Sequence, residues 1–226
     1  MQDPLHLLRL LQLASPTLPV GAYSYSQGLE YAVEAGIVRD EATAARWIED
    51  VLRFSVSTFD APCLLAMMEA VHAGDANGLA HWNAWYLASR ESAELRAETV
   101  QLGHSLVRVL TQLPDMPSSL VRSAQALTEP SYPCAWACAA YAFDLPKAAA
   151  LAAYLWAWLE NQVLAAVKLV PLGQSAGQRI LYRLGQVVSE LSAQPATDAS
   201  QWTNFAPGLA LASVAHETQY TRLFRS

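Results

Sequence analysis

The sequence predicts an all-α fold, a single helical-bundle-like domain of about ten helices spanning residues 1–226, with no sheet. Three observations predict it. Alanine and leucine are abundant, apolar residues recur at helical spacing, and no sustained period-two run of β-branched residues occurs. At 226 residues the chain can bury a sizeable core without a covalent or metal staple.

A short first helix, Leu5 to Leu13, stops at Ser15-Pro16-Thr17-Leu18-Pro19, where prolines remove backbone donors and enforce an extended path. Val20 to Ser26 follows as a loop, and a helix runs from near Ser26 to Ala35, with Gly36 as its stop. Asp40 is placed to cap a helix reaching about Ser57, and Asp60, ahead of Ala61-Pro62, opens another that ends near Gly74. Asp75 caps the next, which carries Trp82, Trp85 and Tyr86 to the Ser89-Arg90-Glu91 junction. From about Ser92 a longer helix carries Leu95, Leu102, Leu106 and Val109 to Leu113, and Pro114 and Pro117 end it. A short helix covers Leu120 to Leu127, and Glu129-Pro130-Ser131-Tyr132-Pro133 reads as a linker. Two core helices, Pro146 to Val170 and Ser175 to Leu191, flank Pro171-Leu172-Gly173. A polar loop, Ser192 to Asn204 with Thr197 in it, precedes the last helix, Pro207 to about His216. The tail, residues 217–226, has too few apolar residues to nucleate a fold of its own.

Composition narrows the function classes. Hydrophobic residues make up 53% of the chain and charged ones 15%, against roughly 25% charged in an average domain. That apolar surplus predicts an oligomer or a permanent partner. A net charge of -6, with no Lys/Arg cluster, argues against binding to nucleic acid. The apolar stretch Ala148 to Val170 resembles a membrane span but is interrupted by Glu160, Asn161, Gln162 and Lys168, so a buried core helix and no membrane partner are expected. The first residues lack a secretory pattern, and three cysteines form neither an even disulfide set nor paired CxxC motifs, which points to a reducing, cytoplasmic setting.

The residues that chemistry would need are thin. No GxxxxGK[ST] loop is present to cradle phosphates, and no cofactor motif is visible. His6, His72, His81, His104 and His216 lie far apart, and none belongs to an HExxH helix; His216-Glu217 begins one, but position 220 is tyrosine. For His216 the plainer reading is a histidine capping the last helix. Cys134 and Cys138 share a helical face and could grip a metal, although buried thiols are the plainer reading. Arg90, Glu94 and Glu98 recur at i, i+4, the pattern of a solvated face or of an electrostatic docking strip. Lys168, in an apolar stretch, reads as snorkelling to the surface. The tail's Tyr220, Phe224, Arg222 and Arg225 are residue types that anchor interfaces.

Four ordered blocks give the chain a family resemblance. They are Leu11-Gln12-Leu13-Ala14-Ser15 through Pro19 to Glu30; Arg90-Glu91 with Glu94-Leu95-Arg96; Val167 to Gln174; and His216 to Ser226. Together they resemble the urease accessory protein UreF family. The resemblance implies an all-α, non-catalytic homodimer that binds UreD (UreH in some species), recruits the nickel-binding GTPase UreG and so serves nickel insertion into apo-urease. It further implies partner-binding roles for Pro19, Gly21, Tyr23, Ser26, Gly28 and Glu30, for Arg90 and Glu94, and for Lys168, Pro171, Gly173 and Gln174. The same role extends to His216, Glu217, Gln219, Tyr220, Arg222, Leu223, Phe224 and Arg225. The resemblance assigns no catalytic, metal or cofactor site. Alternatives are a regulator of the partner's GTPase, through Glu30, Lys168 or an arginine, or an unrelated metal-dependent hydrolase using His216, Glu217 or the cysteine pair.

Overall fold

The computed structural model describes residues 4–114, 116–196 and 198–226. It is all-α, with no strand among the described residues. The helices are α1 (Pro4–Ala14), α2 (Leu29–Glu34), α3 (Glu41–Val51), α4 (Ala61–Ala73), α5 (Ala76–Ala88), α6 (Ala93–Gln112), α7 (Ser118–Ala126), α8 (Tyr132–Ala142), α9 (Lys147–Leu169), α10 (Gln174–Ala193) and α11 (Pro207–His216). Asp40, Asp75 and Ser92 cap α3, α5 and α6, each side chain accepting a backbone N–H in the first turn. Thr197, in the expected polar loop, and Met1–Asp3, at the segment read for a secretory pattern, lie outside the described residues.

Three expectations need correction. Asp60 does not open a new helix: its backbone is helical and caps nothing, because a π-helical stretch, Leu52–Asp60, fuses α3 and α4 into one rod from Glu41 to Ala73. Counted as one, that rod leaves ten helices among the described residues. The fusion places Pro62 inside helical backbone, where its ring excludes the bond to the carbonyl four residues back, that of Thr58. The Thr58 carbonyl instead accepts the Thr203 N–H at 3.1 Å, and the Thr58 hydroxyl donates to the Thr203 carbonyl at 2.6 Å. The loop before α11 thus satisfies the group that proline frees.

The second correction is α8, which occupies what reads as a linker and the residues beyond it. Ser131 is its cap and Pro133 lies in its first turn. Eight of its eleven residues are buried. A helix enclosed on all sides carries no polar face and so no amphipathic period to read. The third is α2, which starts at Leu29 and not near Ser26, because Gln27 (φ 53°) and Gly28 (φ 77°) both adopt left-handed backbone.

Most of the buried apolar side chains form one contiguous cluster from Leu13 to Phe224. Helix α9 runs through it, packing on α1, α2, α3, α4, α8 and α10. Leu151, Leu155 and Leu159 on α9 are fully enclosed. Among the described residues, the helix long and apolar enough to cross a membrane is the rod Glu41–Ala73, not α9, and 72% of its most apolar window is buried within the protein.

Candidate functional site

The loop before α2, the start of α6, the end of α9 and the chain's last residues meet on one face. Glu30, in the first turn of α2, is the hub. Its Oε1 accepts the Leu223 N–H at 2.6 Å, and its Oε2 accepts the Phe224 N–H at 2.9 Å. His216 closes α11 with Nε2 3.1 Å from Glu30 Oε2 and Nδ1 2.6 Å from Glu94 Oε2. The other oxygen of Glu94 accepts from Arg222 at 2.6 Å. Beyond Phe224, the Arg225 N–H donates to the Ser24 carbonyl, and the Ser226 carbonyl accepts both the backbone N–H and the hydroxyl of Ser26. Lys168 stands over the rings of Tyr23 and Phe224, 5.9 Å and 5.5 Å from their centroids. Gly28 is required here: besides its positive φ, a Cβ would lie 3.0 Å from the Ser213 backbone nitrogen on α11.

Behind this face lies a cavity of about 100 Å³ whose polar lining includes Gln27, Asp60, Arg90, Glu98, Glu160 and Asn161. Glu98 is held by two neutral donors, Gln27 Nε2 at 2.8 Å and the Ser226 hydroxyl at 2.9 Å. Burial pushes its carboxyl up to about 7, against the lowering effect of those two hydrogen bonds. The left-handed Gln27 is fixed from its other end, its Oε1 accepting the Trp158 indole N–H at 2.8 Å. Asp60 and Arg90 pair at 3.1 Å, both side chains nearly enclosed. Burial raises the Asp60 pKa despite Arg90. For Arg90, burial opposes the charge, but Asp60, Tyr86 and Glu91 outweigh it and raise the pKa. The guanidinium also lies over the ring of Tyr86, 4.1 Å from its centroid.

The residues expected at a partner surface therefore fall into three groups. Ser26, Gly28, Glu30, Glu94, His216, Arg222 and Phe224 are knitted into the network, and Glu217 joins it by accepting the Ala93 N–H. Pro19, Tyr23, Lys168, Tyr220, Leu223 and Arg225 present exposed surface around it, while Gly21, with φ 86°, shapes the loop and Gln219 bonds the Thr221 carbonyl. Pro171, Gly173 and Gln174 lie exposed on the turn after α9, outside this network.

Two local readings change. Arg90 and Glu94 do not pair along a solvated face: α6 begins only at Ala93, so Arg90 is out of helical register and turns inward to Asp60. His216 does end α11, as the capping reading expects, but its ring is wholly buried between two carboxylates. Glu98, read with Arg90 and Glu94 as a solvated or docking strip, is instead buried, and Gln27, Asp60 and Ser226 are residues of this region to which sequence reasoning gave no site role. Glu98 alone had a usable signal, a charge set among Leu95, Leu102 and Leu106 on the apolar stripe of α6.

Little here resembles a reactive centre. Cys134 and Cys138 are buried, and the Cys138 contact together with burial holds the Cys134 thiol well above its usual pKa. Among the described residues no three metal-ligating side chains gather. Both ring nitrogens of His216 are engaged by carboxylates, and Glu217 faces Ala93. Fold and site together define an all-α protein whose polar centre fastens one of its own terminal segments.

The UreF family model matches residues 38–185. The urease accessory protein UreF of Azoarcus sp. (strain BH72) is 58% identical, over 98% of this chain and 96% of its own length. That of Dechloromonas aromatica (strain RCB) is 52% identical over the full length of both. The bifunctional urease accessory protein UreEF of Bordetella bronchiseptica is 45% identical, over 99% of this chain and 53% of its own length. The chain belongs to the UreF family of urease accessory proteins.

Proposed function

We propose that this chain is a non-catalytic scaffold of urease maturation, a cytoplasmic homodimer that binds UreD/UreH and recruits the GTPase UreG, through which nickel is inserted into apo-urease. Residues 1–226 act as one helical unit, and residues 217–226 carry the partner-binding tail. The observation that supports this reading is the convergence of the loop before α2, Lys168 and the tail on one face, with Tyr23, Tyr220 and Leu223 exposed there at 61%, 102% and 67%. Aromatic and leucine side chains held outward on a fixed backbone are what a docking surface presents. Backbone hydrogen bonds from Leu223 and Phe224 to Glu30 and from Arg225 to Ser24 hold the tail in place, and a docking segment so held lowers the entropy cost of association. The UreEF relative, in which a UreF-like part shares one chain with a second accessory function, fits a protein that works beside others of its pathway.

Co-expression with UreD and UreG followed by size-exclusion chromatography tests the reading. Co-elution with UreD, and with UreG once UreD is present, is expected. Failure to co-elute with either would sink it.

A further inference from the structure

We propose that Glu98 is a proton-operated latch: while its carboxyl is protonated, residues 224–226 stay seated against α6 and the loop before α2, and its ionisation lets them lift. The effect of that lift on partners rests on the docking reading above; the latch itself does not.

Glu98 stands between the cavity and the terminal segment. It lines the cavity beside Gln27, while its Oε2 accepts the Ser226 hydroxyl at 2.9 Å. Glu98 is 3% exposed and Ser226 1%, so the segment seals the carboxyl on that side. The segment is in turn fastened to the loop: the Ser226 carbonyl accepts the Ser26 N–H at 2.6 Å, and the Arg225 N–H donates to the Ser24 carbonyl at 2.9 Å. Both direct partners of Glu98, the Gln27 amide and the Ser226 hydroxyl, are neutral donors. They give an ionised carboxylate hydrogen bonds but no countercharge.

The surrounding charges do not supply one. Arg90 favours ionisation of Glu98 and Asp60 opposes it, and these two pair with each other at 3.1 Å. Helix α9 brings Glu160 and Tyr154 to the cavity wall, and at its end Lys168 stands over Tyr23 and Phe224. From α8 comes Tyr132, and from the loop Tyr25, to which the Arg225 side chain is hydrogen-bonded. Glu94, one turn earlier on α6, is engaged by His216 of α11 and by Arg222, and Glu91 by Asn204. Compensation is left to water, which the lift of residues 224–226 admits. With the segment seated, burial pushes the Glu98 carboxyl up to about 7, against an ordinary value of about 4.3 once water reaches it. The seated state therefore binds the proton more tightly. Its advantage is complete below about pH 4.3 and is lost as pH rises toward about 7.

Hydrogen exchange on the full chain tests this, with protection corrected for intrinsic rates. It is read at the Ser26 and Arg225 amides, whose bonds join loop to segment, and at Leu155 on α9 as the marker of global unfolding. Between about pH 5 and about pH 8, protection at Ser26 and Arg225 should fall about tenfold or more and stay below that of Leu155 throughout. Glu98→Gln is neutral at every pH and should keep both amides protected with no pH dependence. A flat profile in the unmodified chain, the original slope retained in Glu98→Gln, or protection equal to that of Leu155 at every pH overturns the proposal. Should Glu98→Gln lose its helical circular dichroism, the unmodified profile together with Ser226→Ala decides: without the hydroxyl, protection at both amides should drop while the slope remains, and unchanged protection overturns the latch. UreD capture by the unmodified chain and by Glu98→Gln at about pH 8 separates the two readings. Tighter capture by the variant supports both, whereas equal capture alongside restored protection overturns the role given to the lift and leaves the latch standing.

Discussion

Glu98 is a carboxyl in the protein interior whose direct partners are an amide and a hydroxyl, and this makes stability depend on pH in an unusual direction. Its folded pKa, about 7, lies above the ordinary glutamate value, so the folded state holds the proton more tightly than the unfolded chain. Stability contributed by the protonated form is complete below the unfolded value of about 4.3 and is lost as pH rises toward 7. The loss is on the order of 3 kcal/mol. Glu98→Gln should therefore gain stability relative to the unmodified chain at about pH 8 and show little difference near pH 4. Denaturant titrations at the two pH values check it, and a difference that does not change with pH would contradict the assignment. At this scale the sequence is partly legible. A charge among α6 leucines can be noticed, but its partners Gln27 and Ser226, 71 and 128 residues away, cannot be read from spacing.

Among elements, the rod from Glu41 to Ala73 and its seam with the α5–α6 junction matter most. The π-helical stretch delivers Asp60 to Arg90, and the loop before α11 clamps the same place: Thr203 pairs with Thr58, while Asn204 donates to the Ser89 carbonyl and to Glu91. Arg90→Ala would strand Asp60 as a buried charge with only Tyr86 bonded to it, a loss of about 3–5 kcal/mol. Replacing the pair together, as Asp60→Leu with Arg90→Met, should cost much less, because two apolar side chains need no compensation. Thermal and denaturant unfolding of the single and double variants checks this, and equal losses in both would contradict it. Most helices were legible from caps and leucine spacing, as at Asp40, Asp75 and Ser92. Helix α8 was not, since burial on every side erases the amphipathic signal. Nor was the continuity of the rod through Pro62, which depends on a carbonyl being satisfied from Thr203, 145 residues away.

For the whole molecule, parts of the blocks that mark the family in sequence, Glu30, Glu94, Lys168 and the residues from His216 onward, meet on one face, while Arg90 turns inward and Pro171, Gly173 and Gln174 lie apart. Neither composition nor periodicity brings Glu30 to Leu223 or Lys168 to Phe224; only the packing of α2, α6, α9 and α11 does. The expectation of a tail that cannot nucleate its own fold is refined by this geometry: Phe224 and Ser226 are buried against the rest of the chain, while Tyr220 and Leu223 project outward. Buried and outward-facing side chains are thus neighbours within one segment. The most direct test of the scaffold account is size-exclusion analysis of the Tyr220→Ser/Leu223→Ser chain with UreD and UreG, beside the unmodified protein. Both side chains are exposed, so an unchanged melting temperature and a partner affinity weakened about tenfold or more are predicted. A double variant that melts as the unmodified chain does and captures both partners equally well would contradict the account.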